Sequence, residues 1–180
     1  MRHRITRWYA AKMKHRAEQT IKQFLEQEGI EYYVPMQNEK TALPGMIFIH
    51  TDYDRALSLR AESDYAISYL HDTINHGIQE IPDSEMQRFL FLQRFADKYY
   101  YLPNPENLQG GEKVRVIGGE YVGIEGELYR LKGHKRVVVR LGNLLSVAMS
   151  EYIAKENLEV VQKENREPCR KELLPMSKQE

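Results

Sequence analysis

A chain of 180 residues holds one ordinary domain or two small ones, and 42% hydrophobic with 29% charged residues is a globular composition, neither disordered nor membrane-embedded. Zero net charge argues against a protein that coats nucleic acid. The single cysteine, Cys169, excludes a disulfide framework or a Cys-built metal site, so the cytoplasm is the expected compartment. No apolar run approaches the roughly 20 residues that span a bilayer, and Trp8-Tyr9-Ala10-Ala11 is too short for a signal-peptide core.

The charge is unevenly spread. Residues 1–16 carry six Lys/Arg and no acid, whereas residues 17–108 carry seven bases against fifteen acids. A basic edge on an acidic domain fits either a local phosphate contact or a solvated face. In chain order, Arg7 to Met13 reads as a strand. From His15 to Glu28 the period becomes helical, with Ala17, Ile21, Phe24 and Leu25 on one face and Gly29 as the stop. Strands are expected over Glu31 to Met36 and, after Pro44-Gly45, over Met46 to Thr51. Asp52 or Asp54 caps a short helix running to about Ala61, and Ala66 to Leu70 forms a fourth strand. Ile81-Pro82-Asp83-Ser84-Glu85 starts a third helix, continued by Met86, Phe89, Leu90, Leu92 and Phe95. The order β-α-β-β-α-β and a helix is the ferredoxin-like split βαβ pattern. Tyr99 to Pro105 reads as a linker.

Residues 111–128 are punctuated by Gly118, Gly119, Gly123 and Gly126 between apolar positions. Glycines so spaced in strand-like sequence mark turns or close backbone approach. Arg136 to Leu141 and Leu144 to Met149 add two further strands, which makes a very small barrel. The expected organisation is an α+β chain: a ferredoxin-like domain (1–95), a linker (96–108), a small SH3-like β-barrel (109–163) and a mobile charged tail (164–180).

Gly111, Glu112, Val114, Arg115, Val116, Gly119, Tyr121, Val122, Ile124 and Gly126 resemble a KOW module. Trp8-Tyr9, the helix through Ala17, Ile21 and Leu25, Tyr33-Val34-Pro35, Pro44 to Ile49 and Ile81-Pro82 resemble the N-terminal (NGN) domain of the NusG family. Together they resemble NusG and its paralogues. Ile81-Pro82-Asp83, the stretch 111–119, Lys135 to Val139 and Leu144 to Ala148 are similar to UpxY-type antiterminators of capsular polysaccharide operons.

The resemblance implies a non-enzymatic transcription elongation and antitermination factor without cofactor or metal. Met46, Phe48, Met86 and Phe89 would bind the clamp helices of RNA polymerase, although pattern alone reads all four as core. On the presented-patch reading, Phe48→Ala weakens polymerase binding with little loss of folding cooperativity. Lys12, Lys14, His15 and Arg16 would make a weak contact with the non-template DNA strand, as a helix N-terminus beside Lys/Arg allows. Leu141, Gly142, Asn143 and Leu144 match the segment that meets ribosomal protein S10 or Rho; Leu141 is equally readable as an inward strand residue. Where the paralogue RfaH has His-Thr-Thr-Thr, this chain has Leu57-Ser58-Leu59-Arg60, so that polymerase contact is not implied. Housekeeping NusG supporting Rho-dependent termination and a ribosome- or RNA-binding KOW protein are the alternatives. The scattered histidines, His71 and His76 included, lack any ligand spacing.

Overall fold

A computed structural model describes residues 5–35, 43, 45–72, 76–95, 98–102 and 111–161. The loop expected after Met36, Pro44, most of the linker and the tail lie outside them. The first half contains β1 (Arg7–Met13), α1 (Glu18–Gln27), β2 (Glu31–Tyr33), β3 (Met46–Thr51), α2 (Tyr53–Glu62), β4 (Ile67–Tyr69), β5 (Glu80–Ile81) and α3 (Asp83–Leu92). Its antiparallel sheet runs β2-β3-β1-β4, with β5 also pairing on β1, which is the split βαβ order. Each helix end has a local cause. Gly29 at φ +64° lets α1 stop, with Ile30 N–H returning to the Leu25 carbonyl at 2.9 Å. The Asp52 carboxylate caps α2 by accepting from Arg55 N–H at 3.0 Å. Pro82 lacks the donor that the start of α3 would leave unused, and Asp83 and Glu85 fill the first turn.

Alternation in β1 and β3 divides the apolar residues between two faces of this sheet. Tyr9, Ala11, Met13, Ile47 and Ile49 pack with Ile21 and Leu25 of α1 and Ala56 and Leu59 of α2. On the other face Trp8, Ala10, Met46 and Phe48 pack with α3 through Met86, Phe89 and Leu92.

The second sheet is built from β6 (Tyr99–Leu102), β7 (Glu112–Val116), β8 (Glu125–Leu131), β9 (His134–Leu141), β10 (Leu145–Met149) and β11 (Leu158–Val160). It is antiparallel throughout, in the order β11-β7-β8-β9-β10-β6. Residues 99–102, expected in the linker, are here a strand paired to β10, Tyr99 opposite Met149 and Leu102 opposite Ser146. Gly126 is a true close approach: a Cβ there would lie 2.6 Å from the Val138 carbonyl oxygen. Gly126→Ala is therefore expected to lower the stability of this sheet by about 1–3 kcal/mol, read as a reduced thermal midpoint. An unchanged midpoint would show that β8 and β9 separate at no cost. No helix among the described residues is long and apolar enough to cross a membrane.

Candidate functional site

The face carrying Met46, Phe48, Met86 and Phe89 is covered. The four side chains are 3%, 0%, 0% and 0% exposed. They share one apolar cluster with Val114, Val116, Tyr121, Ile124, Val139, Leu141 and Val147 of the second sheet. Phe89 is its hub: it meets Phe48 edge-on with centroids 5.7 Å apart and Tyr33 at 6.1 Å. The sequence expectation that one strand pair is core while the other is presented needs correction. Met46 and Phe48 do lie opposite Ile47 and Ile49, but both pairs are buried, one under helices α1 and α2 and one in the cluster formed by α3 and the β-rich half. Trp8, the only tryptophan, is buried in the same cluster and stacks on His50 with ring centroids 4.9 Å apart.

Polar contacts rim this contact. Gly142 N–H donates to the Glu85 carboxylate at 2.5 Å, and Arg88 donates to Glu125 at 2.8 Å. Burial pushes the Glu85 carboxyl above its ordinary value, while the Gly142 N–H and Arg88 pull it back. Arg115, aided by Arg88, holds the Glu125 carboxyl below the usual range. The two oppose each other in pH. The raised Glu85 favours the folded chain at low pH and loses that contribution as pH rises through its folded-state value. The depressed Glu125 contributes above the ordinary carboxylate range and loses its contribution as pH falls. On the far side Tyr33 and Tyr99 hydroxyls both donate to Gln93 Oε1, at 3.1 and 2.7 Å, tying β2, α3 and β6 together.

The segment 141–144 joins the same contact. Leu141 is fully buried, so of its two readings the inward one holds. Leu144 packs half-buried on the same cluster. Gly142, at φ +53°, sits where a Cβ would lie 2.8 Å from Gln79 Nε2 and 3.2 Å from the Glu80 carbonyl. Only Asn143 is exposed. The residues matched to an outside partner thus lie against the first half of the chain.

The basic edge is open. Lys12, Lys14, His15 and Arg16 are all exposed. Lys12 pairs across to Met46 and Ser68, at the rim of the covered face, whereas Lys14 to Arg16 form the turn into α1. That turn closes with Ala17 N–H on the Lys14 carbonyl at 3.0 Å and holds Arg16 at φ +65°. Ala17 stands at the N-cap of α1 and offers no side-chain cap.

Comparison with known proteins follows this geometry. Residues 6–90 match the NusG family, described as transcription termination factor nusG. Over these residues, just under half of its length, the chain is similar to that family. The matched segment holds all of the sheet face and basic edge described above. Among solved structures, the chain is similar to NusG of Thermotoga maritima, from a structure of its domain interaction, at 14% identity and TM-score 0.45, covering 88% of this chain and 98% of that one. It is also similar to a chain of the MjSpt4:Spt5 complex at 16% identity and TM-score 0.24, covering 87% and 97%. No curated protein matches the chain.

Sequence reasoning missed several participants in the contact between the first half of the chain and the β-rich half. Glu85, Arg88, Gln93 and Glu125 are polar residues with no distinguishing motif, and their roles follow only from which surfaces meet. Trp8 was legible as a strand residue but not as a member of the contact. Gly142 had a usable signal, since a glycine after a β run marks either a turn or a close approach.

Proposed function

We propose that this chain is a non-enzymatic transcription elongation factor acting in the cytoplasm on DNA-bound RNA polymerase. Its NusG-family domain holds the polymerase clamp helices through Met46, Phe48, Met86 and Phe89, and suppresses pausing or premature termination. The observation that carries this reading is the family match over residues 6–90, which contains that whole face and the basic edge. Because the face is buried, the β-rich half has to leave it before polymerase binds. Departure also frees Leu141 to Leu144 for a second partner, ribosomal protein S10 or Rho in the family's manner. A polysaccharide operon is the proposed target, supported by the UpxY-like residues Ile81-Pro82-Asp83 and 111–119. The second reading, support of Rho-dependent termination, is favoured by the family's description as a termination factor.

Reconstituted transcription through a terminator, with and without Rho, separates the two. Increased read-through is expected; earlier Rho-dependent release would give the second reading, and no effect would undo both. The basic edge makes the non-template contact. Lys14→Glu with Arg16→Glu is expected to lower the slope of log affinity against log salt for DNA by about 2. An unchanged slope would reduce the edge to a solvated surface.

A further inference from the structure

Strand β6 stands between the two halves in chain order and is held by both. It pairs with β10 over four residues, from Tyr99 opposite Met149 to Leu102 opposite Ser146, and forms the end of the second sheet. Its two faces have different supports. Tyr100 and Leu102 lie on Tyr129, Val138 and Ala148, which all belong to the second sheet. Tyr99 and Tyr101 pack instead into the cluster that α3 shares with the β-rich half. The Tyr99 hydroxyl donates to Gln93 Oε1 at the end of α3, 2.7 Å away, and the same oxygen accepts from Tyr33 of β2 at 3.1 Å. Part of what seats β6 on the second sheet is therefore supplied by the first half of the chain.

The seat itself is imperfect. Ser146 of β10 is fully buried, and its hydroxyl has no hydrogen-bond partner among the described residues. It stands directly opposite Leu102, which puts both side chains on one face of the sheet. A buried unpaired hydroxyl costs free energy that contact with water restores. Seating also sets the length of the tie between the halves. With β6 on β10, residues 93–98 alone join α3 to the second sheet, and the amides of Arg94, Phe95 and Lys98 return to the carbonyls of Phe91, Leu92 and Phe95 at 3.2, 3.0 and 2.8 Å. With β6 off β10, the tie runs from α3 to β7 and comprises residues 93–111. Fully extended, chains of those lengths reach about 20 Å and about 65 Å.

We infer that β6 is a detachable strap: seated on β10 it keeps the two halves on a short tie, and it leaves β10 when the β-rich half leaves α3. The coupling runs through Gln93 and the shared cluster. Withdrawal of α3 takes the partner of the Tyr99 hydroxyl and one side of the packing around Tyr99 and Tyr101. What remains is a four-residue edge strand beside an unpaired hydroxyl, and short edge strands with one supported face are marginal. This rests on the proposed departure of the β-rich half and adds to it the step that sets how far the halves part.

The test is amide hydrogen exchange of the full chain, with β8 as the internal control. Gln93→Leu removes the hold of α3 on Tyr99 and touches no residue of β10. It is expected to speed exchange of the Tyr100 to Leu102 amides about tenfold and to leave the β8 amides unchanged. Ser146→Ala removes the unpaired hydroxyl and is expected to slow the same amides about fivefold. Unchanged exchange of β6 in Gln93→Leu means that the strand belongs to the second sheet alone, and equal speeding of β8 means that the sheet melts as one; either overturns the strap. A lock gives the second reading: Leu102→Cys with Ser146→Cys, the native Cys169 replaced by serine, in a chain opened by Gly142→Val. By small-angle X-ray scattering the reduced protein is expected to exceed the oxidised one in maximum dimension by about 20 Å or more. Equal dimensions in a protein whose Trp8 emission reports opening overturn the strap. If polymerase binding fails while β6 responds as expected, the elongation-factor reading falls and the strap stands. If polymerase binding holds while exchange and dimension are unmoved, only the strap falls.

Discussion

Phe48→Ala is expected to destabilise the molecule by about 3–5 kcal/mol, in the range of large-to-small changes in closed cores. The ring is fully buried and packs edge-on against Phe89. Its removal leaves a cavity under β3 that neither α3 nor the β-rich half can fill without moving. This replaces the sequence expectation of little loss in folding cooperativity, which assumed a presented side chain. Denaturant unfolding followed by Trp8 fluorescence measures the effect, since Trp8 lies in the same cluster. A loss under about 1 kcal/mol would mean that the face is not packed as described.

Gly142→Val is expected to separate the two halves without unfolding either. A side chain at this position meets Gln79 Nε2 at 2.8 Å and the Glu80 carbonyl at 3.2 Å, and φ +53° strains any residue with a Cβ. The turn strain is present in both arrangements, whereas overpacking against the first half costs about 1–3 kcal/mol and moves the closed-to-open ratio by roughly 5- to 150-fold. Arg88→Glu acts at the opposite rim and more weakly. Its ion pair with Glu125 is about one-third exposed on both sides, and such pairs contribute about 0–1 kcal/mol. Opening exposes Trp8, now 7% accessible, so the expected readout is a red-shifted emission with the far-UV signal retained. Emission unchanged in Gly142→Val would show that the turn is not what holds the halves together.

The first sheet was legible because its signals are local. Alternation in Arg7 to Met13, the glycine stop at Gly29, the Asp52 cap and the Ile81-Pro82 entry each act within a few residues. β6 was missed for a physical reason. Tyr99-Tyr100-Tyr101-Leu102 does not alternate because both of its faces meet apolar partners: Tyr99 and Tyr101 pack on the large cluster, Tyr100 and Leu102 on Tyr129, Val138 and Ala148. Followed by Pro103 and Pro105, that run reads as a linker. The basic edge was readable from charge alone, but its neighbour across the sheet was not, since only the fold brings the end of α2 beside Lys14.

The covered face marks the limit of the sequence most sharply. Met46 and Phe48 alternate with Ile47 and Ile49 whether their outer neighbours belong to α3, to the β-rich half or to another protein. Sequence periodicity distinguishes faces, not what lies against them. The arrangement also makes the two candidate protein-binding segments interdependent. Leu141 lies in the same cluster as Phe48 and Phe89, and Gly142 is bonded to Glu85 of α3, so release of the β-rich half frees both the segment and the outer side of α3. The apparent affinity for a partner of either segment falls by the fraction of molecules that are open.

The central claim is that polymerase binds the face now covered by the β-rich half. The most direct measurement is the affinity of full-length chains for RNA polymerase, comparing the parent, Gly142→Val, and Gly142→Val with Phe48→Ala. The account predicts at least tenfold tighter binding for Gly142→Val than for the parent, as expected when a closed population is released, and loss of that gain when Phe48 is also removed from a protein that keeps its far-UV signal. Equal or weaker binding by a Gly142→Val protein whose Trp8 emission reports opening would contradict it.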